Sequence, residues 1–379
     1  MVVKQLSLDI NVREYLRAIG VDAGGLNIMS AKAQLYIVSI KGLKSAGANV
    51  LKQDALSIGA DLAVPKGTVM NLRDEVDCLL IGSKKHFKIL AHKELTQPYG
   101  LKEVAHQLQI ILKTEKPKEC KVMGIINAND DSFFDGSRFK AEDALVKIMK
   151  MIEEGAAIID IGGVSSRPGS QEVSVDEELS RIMPIVDLLE DSALLEKARF
   201  SIDTYQPEVA RYALARGFHI VNDIRGLESD ALCEVVAEFN ATVIIMHMKG
   251  RPESMQENPE YFDVMDEIYT FFQERIAKAH GYGIKNIILD VGIGFGKSLE
   301  DNLLLINHLE HFLRLRKQLL IGASRKSMIE KIDASAVSER LGGTLAIHLA
   351  AAKNGAAIIR VHDVQEHVQA LKVQKALQI

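Results

Sequence analysis

Cysteine is scarce in this chain: Cys78, Cys120 and Cys233 are the only three in 379 residues. They form no CxxC pair and their number is odd, which excludes a disulfide framework and a cysteine-based zinc module. They are expected to be reduced thiols, as in a cytoplasm. The eleven histidines show no HExxH or Cys₂His₂ spacing, so no histidine metal motif is read either. No apolar run approaches the roughly 20 residues of a membrane span. The opening MVVKQLSLDINVRE lacks the charged-then-apolar form of a secretory signal. A net charge of −5 supplies no basic field, so neither nucleic acid nor a membrane is expected as a partner. Low-complexity tracts are lacking. What remains is a globular composition, 47% hydrophobic and 26% charged, with ample material for a core.

The most informative stretch is MGIINANDDSFFDGSR, residues 123–138. It opens with apolar residues suited to a buried strand and then breaks into amides and carboxylates. The strand is expected to end near Asn127, whose side-chain carbonyl oxygen is a hard ligand suited to Mg²⁺. Alone, the stretch is equally a turn that stops a strand or an active-site loop.

Residues 1–118 carry mixed α/β signals. Helices are expected at Asn11–Ile19, Asn49–Ile58 and Leu101–Leu112, and strands at Ala33–Ile40 and Asp77–Ile81. The charged, proline-containing KTEKPK at 113–118 reads as a linker. This part shows no chemical constellation, so its role is left open and a small scaffolding or interface domain is the plain reading.

From residue 119 to 379 a beat sets in, with short apolar runs alternating with longer amphipathic stretches. Strands are expected at Lys121–Asn127, Ile158–Gly162, Phe200–Thr204, His219–Asn222, Thr242–His247, Ile287–Asp290, Leu319–Ala323 and Ile358–His362. Helices are expected between them, including one long helix at Leu299–Arg316 and one at Glu339–Lys353, with Val364–Leu377 closing the set. Eight β-then-α units in about 260 residues fit a (β/α)₈ TIM barrel following a small α/β domain. A doubly wound open sheet is the alternative, but it usually has fewer strands.

The strand ends favour the barrel. They carry Asn127; Asp160; Asp203 with Thr204; Asn222 with Asp223; His247; Asp290; Ser324, Arg325 and Lys326; and Arg360 with His362. One such end can cap the next helix, but Arg and Lys do not cap helix N-termini. In a barrel all eight ends share the face that carries chemistry. Arg167, Arg360, His362 and a metal at Asn127 suit phosphate, since Arg offers a fork of donors. Arg360 and His362 lie two apart, so on a strand they face the same way. Asp203, Asn222, Asp290 and Lys326 suit a flat heterocycle with an N–H edge and a carbonyl. Two glycine loops fail as nucleotide motifs. GIGFGKS at 292–298 has Val291, not glycine, where a P-loop needs its first glycine, and its glycines space as GxGxG. GGVSSRPG at 162–169 reads as a second mobile loop.

These motifs, in order, resemble those of dihydropteroate synthase: MGIINANDDSFFDG, DIGGVSSRPGS, SIDTY, VNDI, DVGIGFGK, GASRKS and RVHDV. The resemblance covers about 260 residues from Cys120. It implies a TIM-barrel transferase, a target of sulfonamides, joining a dihydropterin methyl diphosphate to p-aminobenzoate and releasing pyrophosphate. It further implies Mg²⁺ and a homodimer. Carried over by position, Asn127 would hold Mg²⁺. Arg167, Arg360 and His362 would contact the diphosphate. Asp203, Asn222, Asp290 and Lys326 would hold the pterin, and Phe133, Ser166, Pro168 and Ser327 would shape the aminobenzoate pocket. Asp135 would stabilise a pterin methylene cation after dissociative C–O cleavage. The chain departs from the family pattern in three places. Asn129-Asp130 replaces Thr-Pro, Ser166 replaces a common Thr, and Val291 replaces a common Pro. Rival readings are a pterin-dependent methyltransferase barrel and a pterin-binding module without catalysis.

Overall fold

The computed structural model describes residues 1–7, 10–128, 138–164, 173–250, 255 and 259–377. The chain divides into two compact units. One is Met1–Glu115 with residues from Lys375 on, the other Lys116–Gln374.

The first unit runs α1 (Val12–Ala18), α2 (Ala23–Ala33), β1 (Leu35–Lys44), α3 (Ser45–Ile58), β2 (Asp61–Ala63), β3 (Glu75–Ser83), α4 (Lys84–Lys93) and α5 (Leu101–Lys113). Its three strands form an antiparallel sheet in the order β1-β3-β2. Alternation puts Leu62, Val76, Cys78 and Leu80 on one face, where they pack with Leu51, Phe87, Leu90, Leu101 and Leu108. The strand expected from Ala33 begins two residues later because Ala33 closes α2. That helix buries only Leu26, so its sequence carries no strong apolar stripe.

One charge in this unit is out of place. Glu94 is fully buried after α4; as a carboxylate neither of its oxygens meets a donor, and only when protonated can it bond the Asp54 side chain. Burial, and then the negative charge of Asp54, push its carboxyl up to about 7 from 4.5. The folded form therefore binds a proton more tightly than the unfolded chain. Its stability contribution is complete below about 4.5 and is lost as pH rises through about 7. Glu94→Gln should remove that fall and stabilise the unit at pH 8 by on the order of 1–3 kcal/mol. Denaturant titrations at several pH values, with hydrogen exchange of α4 and α5 as local probe, check this. An unchanged pH dependence would contradict it.

The second unit is a closed barrel of eight parallel strands. They are β4 (Lys121–Asn127), β5 (Ile158–Gly162), β6 (Arg199–Asp203), β7 (Ile220–Asp223), β8 (Thr242–Met246), β9 (Ile287–Asp290), β10 (Gln318–Ile321) and β11 (Ile358–Val361). The helices are α6 (Arg138–Glu153), α7 (Val175–Glu190), α8 (Pro207–Ala215), α9 (Asp230–Glu238), α10 (Val264–Gly281), α11 (Leu299–Asn307), α12 (Ser327–Ile332), α13 (Leu341–Lys353) and α14 (Val364–Ala376). Order β4 to β11 runs around the ring and β11 pairs with β4, which makes it a TIM barrel. The lumen is floored by Met123, Ile158, Ile220, Ile244, Ile288, Leu320 and Ile358. Two residues further along, the inward positions of β5, β7, β9 and β11 turn polar, as Asp160, Asn222, Asp290 and Arg360, while Ile125 and Met246 keep β4 and β8 apolar. The long helix expected at Leu299–Arg316 breaks in two: α11 ends at Asn307 and a 3₁₀ segment spans Leu309–Leu315. The Asn354 amide donates to the carbonyls of Ile306 and Asn307, at 2.9 and 3.3 Å, and so closes α11 from outside. All three cysteines are free thiols. Among the described residues, no helix is long and apolar enough to cross a membrane.

Candidate functional site

The eight parallel strands bring their C-terminal ends to one rim, and the polar residues gather there. Asn127 is the last residue of β4 and is half-buried. Asp203 ends β6 and Asp290 ends β9; Asn222 lies on β7. Arg360 is on β11 and His362 follows it. Lys326 stands just before α12, whose first residue, Ser327, is exposed. The sequence-assigned Phe133, Asp135, Ser166, Arg167 and Pro168 lie outside the described residues, as do Asn129 and Asp130.

A charged network fills the lumen above its apolar floor. Arg360 Nε donates to Asp160 Oδ2 at 2.6 Å, and its Nη2 donates to Asp203 Oδ2 at 2.7 Å. Asn222 Nδ2 donates to the same Asp160 oxygen at 3.1 Å. Asp160 is wholly buried, and its other oxygen, Oδ1, has no partner. Sequence reasoning named Asp160 at its strand end but gave it no role. The inward alternation on β5 was the available signal. Burial, the dominant cause, pushes the Asp203 carboxyl up to about 7, against the pull of Arg360 and with Asp160 adding to the rise. An acid poised there can present either a proton or a lone pair to a ligand's N–H and N edge.

Across the mouth, Asp290 Oδ1 accepts from the Gly292 N–H at 2.8 Å, and burial raises its carboxyl while Lys326 opposes the rise. Lys326 Nζ donates to the Ile293 carbonyl at 2.5 Å and lies over the Phe295 ring, 4.3 Å from its centroid. Burial pulls its ammonium down to about 8, again against the field of Asp290. A flat ring with both donor and carbonyl edges matches this set of groups.

The glycine loop that matched no nucleotide motif has a clear structural cause. It lies directly on the backbone that leaves β8. A Cβ on Gly292 would stand 2.0 Å from the His247 carbonyl oxygen, and one on Gly296 would stand 2.1 Å from that of Lys249. Both residues also have positive φ, which favours glycine. Lys297 closes the loop. It is 1% exposed, and its Nζ meets His247 Nδ1 at 3.0 Å and the carbonyls of His247 and Phe295 at 3.2 and 3.0 Å. Burial draws its ammonium down to about 7. Neither Lys297 nor its bond to His247 was assigned from sequence.

At the last two strands the Ser324 hydroxyl accepts from the His362 backbone N–H and meets His362 Nδ1 at 2.8 Å. The Arg325 guanidinium grips the Asp363 carboxylate, with Nε to Oδ2 at 3.1 Å and Nη2 to Oδ1 at 2.5 Å. The Ser324 contacts fix the His362 ring just past the end of β11. Among the described residues no three His, Cys, Asp or Glu side chains form a metal cluster. Among the described residues, the donor expected to hold a metal, Asn127, offers one hard amide oxygen. That fits Mg²⁺ shared with substrate phosphates, which keeps few protein ligands.

Comparison with known proteins bears on what this site is. Residues 123–362 match the model of a family described as pterin binding enzyme. A Helicobacter pylori protein named bifunctional dihydropteroate synthase/dihydropteroate reductase is 39% identical over 378 residues, covering 100% of this chain and 99% of that protein. The dihydropteroate synthase of Escherichia coli K12 is 46% identical over 258 residues, 67% of this chain and 90% of its own. Among solved structures, a Yersinia pestis dihydropteroate synthase in a sulfonamide drug complex aligns with a TM-score of 0.64 at 40% identity, covering 69% of this chain and 94% of that one. A Xanthomonas albilineans dihydropteroate synthase with 4-aminobenzoic acid aligns at 0.63 and 39% identity, with coverage of 69% and 94%.

Proposed function

The chain belongs to the pterin binding enzymes, with dihydropteroate synthases as its relatives, and from that membership we propose how its own residues carry out the synthase reaction of folate biosynthesis. The reaction joins a dihydropterin methyl diphosphate to p-aminobenzoate and gives dihydropteroate and pyrophosphate. The observation that carries the reading is the convergence of Asp203, Asn222, Asp290 and Lys326 with Arg360 in one barrel mouth.

Asp203 and Asp290 accept from the pterin N–H groups, while Asn222 and Lys326 donate to its ring nitrogen and carbonyl. Arg360 holds Asp203 in place and turns its remaining donors, with Arg167 and His362, toward the diphosphate. Mg²⁺, held by Asn127 and the diphosphate, would offset the charge of the leaving group. The C–O bond breaks with its electron pair going to pyrophosphate, and Asp135 faces the methylene cation left behind. The neutral aromatic amine attacks with its lone pair and then releases a proton. Phe133, Ser166, Pro168 and Ser327 border the aminobenzoate. A fixed carboxylate next to a developing cation is worth more in a water-poor mouth than in solution. A pterin-dependent methyltransferase would have no use for the diphosphate set. The enzyme is proposed to work as a cytoplasmic homodimer.

A sulfonamide should inhibit competitively against p-aminobenzoate and not against the pterin diphosphate. Competition with the pterin alone would reject this arrangement of the site. The metal assignment has its own expected result. Asn127→Ala should weaken Mg²⁺-dependent binding of the pterin diphosphate and spare an unphosphorylated pterin. Calorimetry with both ligands, with and without Mg²⁺, reads the difference, and equal losses for both would remove the metal role.

A second activity is favoured by one observation. The Helicobacter pylori relative matches residues on both sides of 123–362, and its name includes a dihydropteroate reductase. We infer that this chain also reduces its product, adding hydride and a proton across the remaining C=N bond of the dihydropterin. A reduced nicotinamide or flavin would supply the hydride. Dihydropteroate-dependent oxidation of such a donor tests it. A chain beginning near Lys118 should keep synthase activity; whether it loses the reduction decides whether residues 1–118 serve that step.

A further inference from the structure

Two histidines that the synthase chemistry does not use lie ring to ring, tilted by 55° with centroids 5.0 Å apart. His348 on α13 and His367 on α14 are 0% and 1% exposed. His348 Nε2 accepts from the backbone N–H of Ala323 at 3.0 Å. A ring nitrogen that accepts carries no proton, so the His348 proton is on Nδ1. That Nδ1 stands 2.9 Å from His367 Nε2, which must then accept. The His367 proton is in turn on Nδ1, which donates to the carbonyl of Asp363. One backbone N–H thus fixes the tautomer of both rings.

The relay runs between two strand ends. Ala323 leads directly into Ser324, Arg325 and Lys326 after β10, and Asp363 follows Arg360 and His362 after β11. The Asp363 carboxylate returns to Arg325, closing a ring of hydrogen bonds. Thr344 on α13 and Arg340, the residue just before it, brace the same segment. The Thr344 hydroxyl accepts from the Arg325 N–H at 3.0 Å, and Arg340 Nη1 donates to the Arg325 carbonyl at 3.2 Å. Arg340, Thr344 and His348 recur every four residues, so they share one helix face. Arg325 needs this bracing because its φ is +58°, a left-handed conformation that non-glycine residues rarely hold. Burial keeps both imidazoles below their ordinary pKa, with His367, Lys326 and His362 adding to the effect at His348. Asp363 and Glu366 oppose it at His367.

We propose that His348 and His367 are positioning residues: a directional two-imidazole relay that locks the ends of β10 and β11 together, so that Lys326 meets the pterin and the Ser324–His362 pair meets the diphosphate. The placement at Lys326 and His362 rests on the synthase reading above, whereas the tautomers do not.

The first arm needs no substrate. ¹⁵N-imidazole spectra of the full-length protein at about pH 7, assigned with His348→Gln and His367→Gln, should show both rings protonated on Nδ1 and bare on Nε2. A ring protonated on Nε2, or on both nitrogens, overturns the relay. The second arm is His367→Phe, which keeps most of the ring volume. It should raise KM for the pterin diphosphate by roughly tenfold, about one buried hydrogen bond, and leave KM for p-aminobenzoate nearly unchanged. His367→Gln, which retains an acceptor for His348, should recover most of that loss. A folded His367→Phe protein with both parental KM values, even if less stable, would make the pair mere packing and overturn the positioning role. If the parent protein forms no product, the synthase reading fails, and the tautomer spectrum still decides the relay.

Discussion

Arg360→Met should cost both stability and catalysis, and by more than any other single change at the barrel mouth. The substitution leaves Asp160 and Asp203 facing each other without the guanidinium that now bonds both. Breaking a buried ion pair from one side costs about 3–5 kcal/mol, because the charge left behind has no solvent. Asp203 already sits near 7 with Arg360 pulling it down, so removal of Arg360 should keep it protonated at neutral pH. A protonated Asp203 accepts poorly from a pterin N–H. The stability deficit should therefore grow as pH rises above about 7, where Asp203 must ionise without its partner, and level off below it, while turnover stays low throughout. Denaturant midpoints and steady-state kinetics over pH measure both. Parental kinetics in Arg360→Met would contradict the assignment.

Lys326→Met should act on the pterin rather than on folding. Burial already draws the Lys326 ammonium down to about 8, so loss of the charge relieves a desolvation cost. What disappears is a charged donor worth about 1.5–3 kcal/mol, which is roughly 10- to 100-fold in pterin affinity. Lys326→Arg should not restore it, since a planar fork replaces a compact ammonium seated over Phe295 and against the Ile293 carbonyl. The pH profile gives an independent sign. For the parent, kcat/KM for the pterin diphosphate should rise through about 7 as Asp203 ionises and fall through about 8 as Lys326 loses its proton. Lys326→Met should lose the alkaline limb and keep the acid one. An alkaline limb that survives in Lys326→Met would assign it to another group.

The barrel was legible because each strand is a short apolar run and each following helix an amphipathic one. Lys121–Asn127, Ile158–Gly162 and Ile287–Asp290 begin and end where the pattern says. The 3.6-residue period continues through 299–316, but the amide of Asn354, far along the chain, ends α11 early. A partner supplied by tertiary structure leaves no local trace. In the first unit α4 was overlooked although Phe87, Leu90 and Ala91 keep helical spacing, because charged residues surround them. The site was legible as a set of strand ends and not as a network. Nothing local says that Arg360 reaches Asp160, 200 residues away, and only closure of the ring between β11 and β4 brings them together. The glycines of GIGFGK excluded a P-loop by spacing. Their cause, a loop pressed on the carbonyls of His247 and Lys249, needed coordinates.

The central claim concerns chemistry in the barrel mouth, and the most direct measurement is the product balance of the purified full-length protein. Supplied with the dihydropterin methyl diphosphate, p-aminobenzoate and Mg²⁺, it should release pyrophosphate and form dihydropteroate in equal amounts, with neither product appearing when p-aminobenzoate is withheld. Pyrophosphate release that ignores p-aminobenzoate, or pterin binding with no product at all, would contradict the account.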